Sequence, residues 1–226
     1  MYILHYAPDN ASMIIRLVLE GSGVAYRAAL VDRSTRQQDS TAYRALNPMG
    51  LIPTLETPHG ALSETAAILL WLGDSHGLIP APDATDRPAL LQWLAFTANT
   101  AHADLRQMFY PNRYVPAHAC AAHHGLLASR MQQHFGHLDR AAAKHPALFS
   151  THGILAPYVC ALMRWSVLYP QGQVPWFDLS HFAALQSVAQ RLEQTDQAKR
   201  VAHAEGLGQH PFTAPVFPDP PEGSAL

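Results

Sequence analysis

The chain is poor in cysteine, in charge and in long apolar runs, and each shortage excludes something. Its two cysteines, Cys120 and Cys160, are too few for a disulfide framework. A bridge between them stays open, but two buried thiols in a cytoplasmic chain is the simpler expectation. Lysine and arginine number 15 against 17 acids, a net charge of -2, with no basic stripe to follow a phosphate backbone. Nucleic acid is therefore not an expected partner. No apolar run approaches the ~18 residues that span a membrane. The start, Met-Tyr-Ile-Leu-His-Tyr, lacks the charged and apolar regions of a signal peptide, so a cytoplasmic location is expected.

Histidine is plentiful, with 14 copies. His118, His123 and His124 lie close together, and His134 and His137 are three apart. No cysteine or acid completes a zinc pattern, so no metal is expected and these read as solvated helix-face histidines. Hydrophobic residues make up 48% of the chain, enough to bury a sizeable core.

Residues 1–78 alternate strand and helix signals. Tyr2 to Tyr6 is a short apolar strand. Met13 to Leu19 suits a buried helix ended by Gly21 and Gly23, and Val24 to Val31 a second strand. Thr41 to Leu46 is a short helix. Residues 52–56 and 61–63 flank Thr57-Pro-His-Gly60, which has turn composition, and read as a hairpin. Glu64 to Leu72 is a helix closing at Gly73. This order predicts a small mixed sheet with helices packed on it.

Residues 79–88 change polarity and proline density together and read as a linker. Beyond them strand signals almost vanish. Leu90, Leu91, Leu94, Ala98, Ala101, Leu105 and Met108 recur at helical spacing, predicting one helix from about Arg87 to Met108. Further helices are expected over His118–Lys144, Ile154–Leu168, Leu179–Leu192 and Asp196–Ala204. An all-helical unit is thus expected over 89–205. Residues 206–226 hold five of the 18 prolines and no period, and read as an irregular tail on the surface.

The most specific stretch is Asn47-Pro-Met-Gly-Leu-Ile-Pro-Thr-Leu-Glu56 followed by Leu62-Ser-Glu-Thr-Ala-Ala-Ile68. A proline stands where a backbone must be held open, and an acid and a hydroxyl open a helix. That combination suits a small zwitterionic peptide. It resembles the glutathione-binding half-site of the cytosolic glutathione transferases. Trp93-Leu-Ala-Phe96 to His102, Phe109-Tyr-Pro111, Tyr158 to Trp165 and Ala204-Glu-Gly-Leu207 extend the likeness from residue 2 to 207. They bring it nearest to bacterial beta-class members. The resemblance implies a thioredoxin-like N-terminal α/β domain followed by an all-α helical bundle, acting as a homodimer.

It also implies roles. Ile52, turned outward by a cis bond to Pro53, would pair its backbone with the cysteinyl unit of glutathione. Glu64 would take the γ-glutamyl ammonium, and Thr65 with its helix N-terminus the carboxylate. Plainer readings are an edge-strand proline, and capping by Ser63 with Glu64 as a first-turn acid. The cysteine of the beta class falls at Ala11, so chemistry by a protein thiol is not expected. Asn10 and Ser12, at the start of the first helix, remain to hold the thiolate, and each is also a natural N-cap. His102 falls where a beta-class histidine faces the cleft; a structural role is the alternative. Tyr6, Met13, Phe109 and Tyr110 are candidate walls for a small hydrophobic electrophile, or core. The usual capping box of the central helix is missing: Gly153-Ile-Leu-Ala156 stands there, followed by Pro157, with Ser150 or Thr151 as upstream caps. The activity implied is glutathione transfer, with glutathione as cosubstrate. The alternatives are a glutathione-binding, ligandin-like protein without turnover, and the fold reused without glutathione.

Overall fold

The computed structural model describes residues 1–225. The chain opens with β1 (Tyr2–Tyr6), α1 (Ser12–Ser22), β2 (Tyr26–Leu30), α2 (Thr41–Leu46), β3 (Thr54–Thr57), β4 (Gly60–Ser63) and α3 (Thr65–His76). The strands form one mixed sheet in the order β2-β1-β3-β4, parallel between β1 and β2 and antiparallel elsewhere. Helix α1 buries Met13, Ile14, Ile15, Leu17, Val18 and Leu19 and stops at Gly23, whose φ of 68° favours glycine.

Helix α3 does not close at Gly73. It runs on to His76, with Gly77 in the left-handed C-cap. A side chain at 73 would meet Ile79 at 2.7 Å, so this glycine is small for close packing rather than for a turn. The segment that follows is irregular, and Arg87 clamps it by bonding the Asp74 carboxylate and the Pro80 carbonyl.

The rest is helical. Helix α4 (Arg87–Phe96) passes through a π-helical segment, Thr97–His102, into α5 (Ala103–Phe109). The long helix read from the sequence is therefore continuous but widened at its middle. There the Thr97 hydroxyl donates to the Trp93 carbonyl at 2.7 Å, in competition with the backbone ladder. Two short 3₁₀ turns precede α6 (Cys120–Lys144), which starts slightly later than expected. Then come α7 (Leu155–Leu168), α8 (Ala183–Glu193) and α9 (Asp196–Glu205). Helix α7 is the buried axis: every residue but Val167 is enclosed. Ile154 is its N-cap and no side chain caps it, so neither Ser150 nor Thr151 does so. Pro157 lies in its first turn, where no amide is needed. One core runs continuously from the sheet through α1 into α7 and α8.

The tail is irregular and is pinned to the body. Asp219 N–H donates to the Gly206 carbonyl, Arg164 binds the carbonyls of Leu207, Pro211 and Val216, and Phe212 is buried. Beyond these, the Tyr6 hydroxyl donates to Glu222.

Candidate functional site

The strand register gathers the singled-out residues at one end of the sheet. Thr54 pairs with His5 of β1 and with Ser63 of β4. The residues just before Thr54, just after Ser63 and just after Tyr6 must therefore share that end. They are Ile52-Pro53, Glu64-Thr65 and the loop from Ala7 to Ala11.

The Ile52–Pro53 bond is cis. The preceding turn is held by Asn47, whose Nδ2 donates to the Leu51 carbonyl at 2.8 Å, and by the Tyr43 hydroxyl, which donates to the same carbonyl at 2.7 Å. Among the described residues the backbone of Ile52 has no hydrogen-bond partner. Its N–H and C=O are left for a neighbour to use.

Glu64 is the N-cap residue of α3 at φ 70°, ψ 114°, with no capping bond from its side chain. Ser63 lies in β4 and is not the cap. A bulky L-residue at positive φ costs about 1–3 kcal/mol, and such strain collects at ligand sites. The Glu64 side chain is exposed and unpaired among the described residues. The first amide to return to the helix is Ile68, to the Glu64 carbonyl, so the amides of Thr65, Ala66 and Ala67 stay open. The Thr65 hydroxyl has no partner among the described residues either. Open amides, partial positive charge, a hydroxyl and a nearby acid can together hold a carboxylate and an ammonium.

In the loop, Asn10 and Ser12 part company. Ser12 is fully buried; its hydroxyl donates to the Ala7 carbonyl and accepts from the Ala7 N–H. It shapes the loop, and its proton is already used. Asn10 accepts the Ala11 amide at Oδ1, while its Nδ2 is without a partner among the described residues. Neither is the N-cap of α1; Ala11 is.

Asp9, next to Asn10, is a hub that nothing in the sequence singles out. At φ 48° its buried carboxylate takes Arg164 at 2.9 and 3.1 Å, the Trp165 indole at 2.9 Å and the Tyr169 hydroxyl at 2.9 Å. Its N–H donates to Glu205. The buried Glu205 is pushed up to about 7 by burial, opposed by Arg16 at 3.3 Å. No local signal marks this pairing, because Arg164 lies 155 positions from Asp9.

His102 ends the π segment, where such irregular turns often mark function. Its Nδ1 lies 2.9 Å from the Tyr158 hydroxyl, and its ring leans on Trp165 at 5.6 Å. Burial, reinforced by Arg106, drops it to about 4, so it is neutral near pH 7. Of the four candidate walls, Met13 is fully enclosed in the core and Tyr6 is buried, with its hydroxyl on Glu222 and Arg16 over its ring. Their burial withdraws both from a pocket surface. Phe109 packs edge-on to Tyr169, which meets Phe217 of the tail, and Tyr110 is exposed beneath Arg113. The histidines are not all solvated: His134 is buried, 2.8 Å from Asp104.

The sequence model described as the glutathione S-transferase N-terminal domain matches residues 11–75. A glutathione S-transferase GST-4.5 from Xanthomonas campestris pv. campestris is 26% identical over 209 residues, 90% of this chain and 98% of that one. A glutathione transferase homologue from Sulfitobacter, solved with bound glutathione, superimposes with a TM-score of 0.76 at 20% identity, covering 89% of this chain and 96% of its own. A sphingomonad glutathione S-transferase complexed with glutathione gives 0.73 at 25% identity, over 91% and 100%. The thioredoxin-like sheet followed by a helical domain is the fold these proteins share.

Proposed function

We propose that the chain is a glutathione transferase, which binds glutathione and activates its thiol for attack on a hydrophobic electrophile. The observation that carries this is the convergence at one sheet end of an unpaired Ile52 backbone beside cis Pro53 and an unpaired Glu64 beside the open amides of α3. These groups have no partner within the protein among the described residues, so a ligand can pair with them in place of water. The cysteinyl backbone pairs with Ile52, the γ-glutamyl carboxylate sits on Thr65 and the α3 amides, and the ammonium meets Glu64.

Catalysis begins when the thiol loses its proton to water, because a free thiol near pKa 8.5 is mostly protonated at neutral pH. The free Nδ2 of Asn10 and the N-terminus of α1 hold the sulfur as thiolate. Ser12 keeps the loop in shape. The sulfur then bonds to the electrophilic carbon, and the electron pair leaves with the departing group or the polarised π bond. Phe109 and Tyr110 flank the electrophile. A homodimer and a cytoplasmic setting belong to the same reading.

Calorimetric titration with glutathione, paired with a thiolate absorbance scan against pH, is the test. Binding with the thiol pKa well below its free value supports the transferase; absence of binding refutes the reading. The committed hydroxyl of Ser12 favours one rival, a binder without turnover, since a single amide is then left for the sulfur. That rival is marked by binding with an unshifted thiol, and Asn10→Ala separates the two by raising the bound-thiol pKa only in the transferase.

A further inference from the structure

We infer that the electrophile taken by this protein carries a carboxylate, held beside Tyr110 by the guanidiniums of Arg33 and Arg113. The place of Tyr110 next to the electrophile rests on the function proposed above; the anion site rests on charge and geometry alone. Arg33 follows β2 and Arg113 follows α5, yet both close on one phenol. Arg33 Nη2 donates to the Tyr110 hydroxyl at 3.4 Å. The Arg113 Cζ lies over the same ring, 4.9 Å from its centroid. Arg106, whose carbonyl takes the Tyr110 N–H, is a third cation on this segment.

None of the three has an acid within ion-pair reach among the described residues. The neighbouring acids are turned elsewhere. Asp32, next to Arg33 in the chain, bonds the N–H and hydroxyl of Ser34. Asp39 is held by Arg36 and Arg44, Asp9 by Arg164, and Glu222 accepts the Tyr6 hydroxyl. Burial governs the protonation of Tyr169 and of His102; beyond it, the charge of Arg33 is felt at the first and that of Arg106 at the second. Tyr169 in turn meets Phe109 edge-on at 5.9 Å. Two guanidiniums drawn to one phenol repel each other, and a carboxylate between them relieves that repulsion. Donors remain for it. Arg33 spends N–H groups on the Ala225 carbonyl and on Tyr110, while Arg113 spends none among the described residues. Tyr110 accepts from Arg33, so its own proton is free to donate, and its ring is open to solvent. Phe109 supplies an apolar flank and Tyr110 with its arginines a cationic one. The substrate class that fits both is an organic acid whose reactive carbon belongs to an apolar frame.

The test uses the full chain and two matched probes, para-nitrobenzoate and para-nitrobenzamide, which share a shape and differ in charge. In calorimetric titration without glutathione the benzoate is expected to bind about tenfold tighter, the worth of one charge-assisted bond. Arg33→Gln and Arg113→Gln should each remove most of that preference, and added salt should shrink it. Arg140→Gln, on α6 beside His137, should keep it, with thermal unfolding reporting that each variant is folded. Equal binding of the two probes, or a preference that survives in both variants, overturns the inference. Turnover is read separately, with glutathione and the chlorinated forms of both probes, chlorine ortho to the nitro group. The sulfur bonds to the ring carbon and chloride leaves with the electron pair. Measured against the uncatalysed rates, kcat/KM should favour the benzoate by a similar factor. A charge preference in binding with turnover of neither overturns the transferase reading and upholds the anion site. Turnover of both without preference upholds the transferase and overturns the anion site.

Discussion

The sheet end and the heart of the helical domain treat polar groups in opposite ways. Around Arg164, a guanidinium with no exposed surface meets one carboxylate and three carbonyls, and that carboxylate is further bonded by Trp165 and Tyr169. Around Glu64 and Ile52, charge and backbone are left without partners. The saturated region fixes the loop that the open region depends on. Asp9 belongs to the first and Asn10 to the second, and one peptide bond joins them.

Four changes bear on this contrast. The largest effect is expected for Asp9→Ala, which strands Arg164 in the interior. A buried pair broken on one side costs about 3–5 kcal/mol, read by chemical denaturation. If the protein loses less than ~1 kcal/mol, the cluster is not the anchor described.

Glu205 comes next and concerns pH. Its folded value, raised to about 7 by burial, lies above the ordinary carboxyl value near 4.5. Its contribution to stability is full below about 4.5 and is lost as pH rises toward 7. The loss amounts to about 3 kcal/mol at most at ~1.4 kcal/mol per unit. Glu205→Gln should flatten that slope in unfolding curves taken between pH 5 and 7; an unchanged slope removes Glu205 as its source.

Glu64→Ala should act on the open side alone. Glutathione affinity should fall tenfold or more, as a charged bond of roughly 1.5–3 kcal/mol requires, with stability within ~0.5 kcal/mol of the parent. An unchanged affinity would take Glu64 out of the site. The smallest effect is expected for Gly206→Ala. Gly206 sits at φ 64°, and a Cβ there would run into the Asp219 carbonyl. About 1–2 kcal/mol of left-handed strain should be accompanied by faster proteolysis of the tail, with the rest of the chain resistant.

Legibility in the sequence followed the range of the interactions. Strand and helix order is written in local periodicity, so β1 to α3 and the helices from α4 to α9 are readable to within a few residues. Ile52-Pro53 and Glu64-Thr65 stand out because turn and cap chemistry are local. Asp9 and Arg164 are not readable as a pair, since nothing in either neighbourhood names the other across 155 positions. Ser12 looked like a free hydroxyl because its captor is a backbone carbonyl, which every residue has. The continuation of α3 through Gly73 depends on Ile79 packing against a bare Cα, and the Tyr6 hydroxyl is taken by Glu222 of the tail, which only the assembled fold supplies.

The tie between Tyr6 and Glu222 spans 216 positions. Such a tie sets an order of events. As the chain leaves the ribosome, β1 emerges well before Glu222, and its tyrosine must wait for that partner. Asp9 likewise waits for Arg164, and its amide for Glu205. The N-terminal sheet can therefore pair its strands early, while the loop bearing Asn10 acquires its final shape only after synthesis has passed α9. On this account a nascent chain halted before residue 205 would carry a formed sheet and an unfinished site.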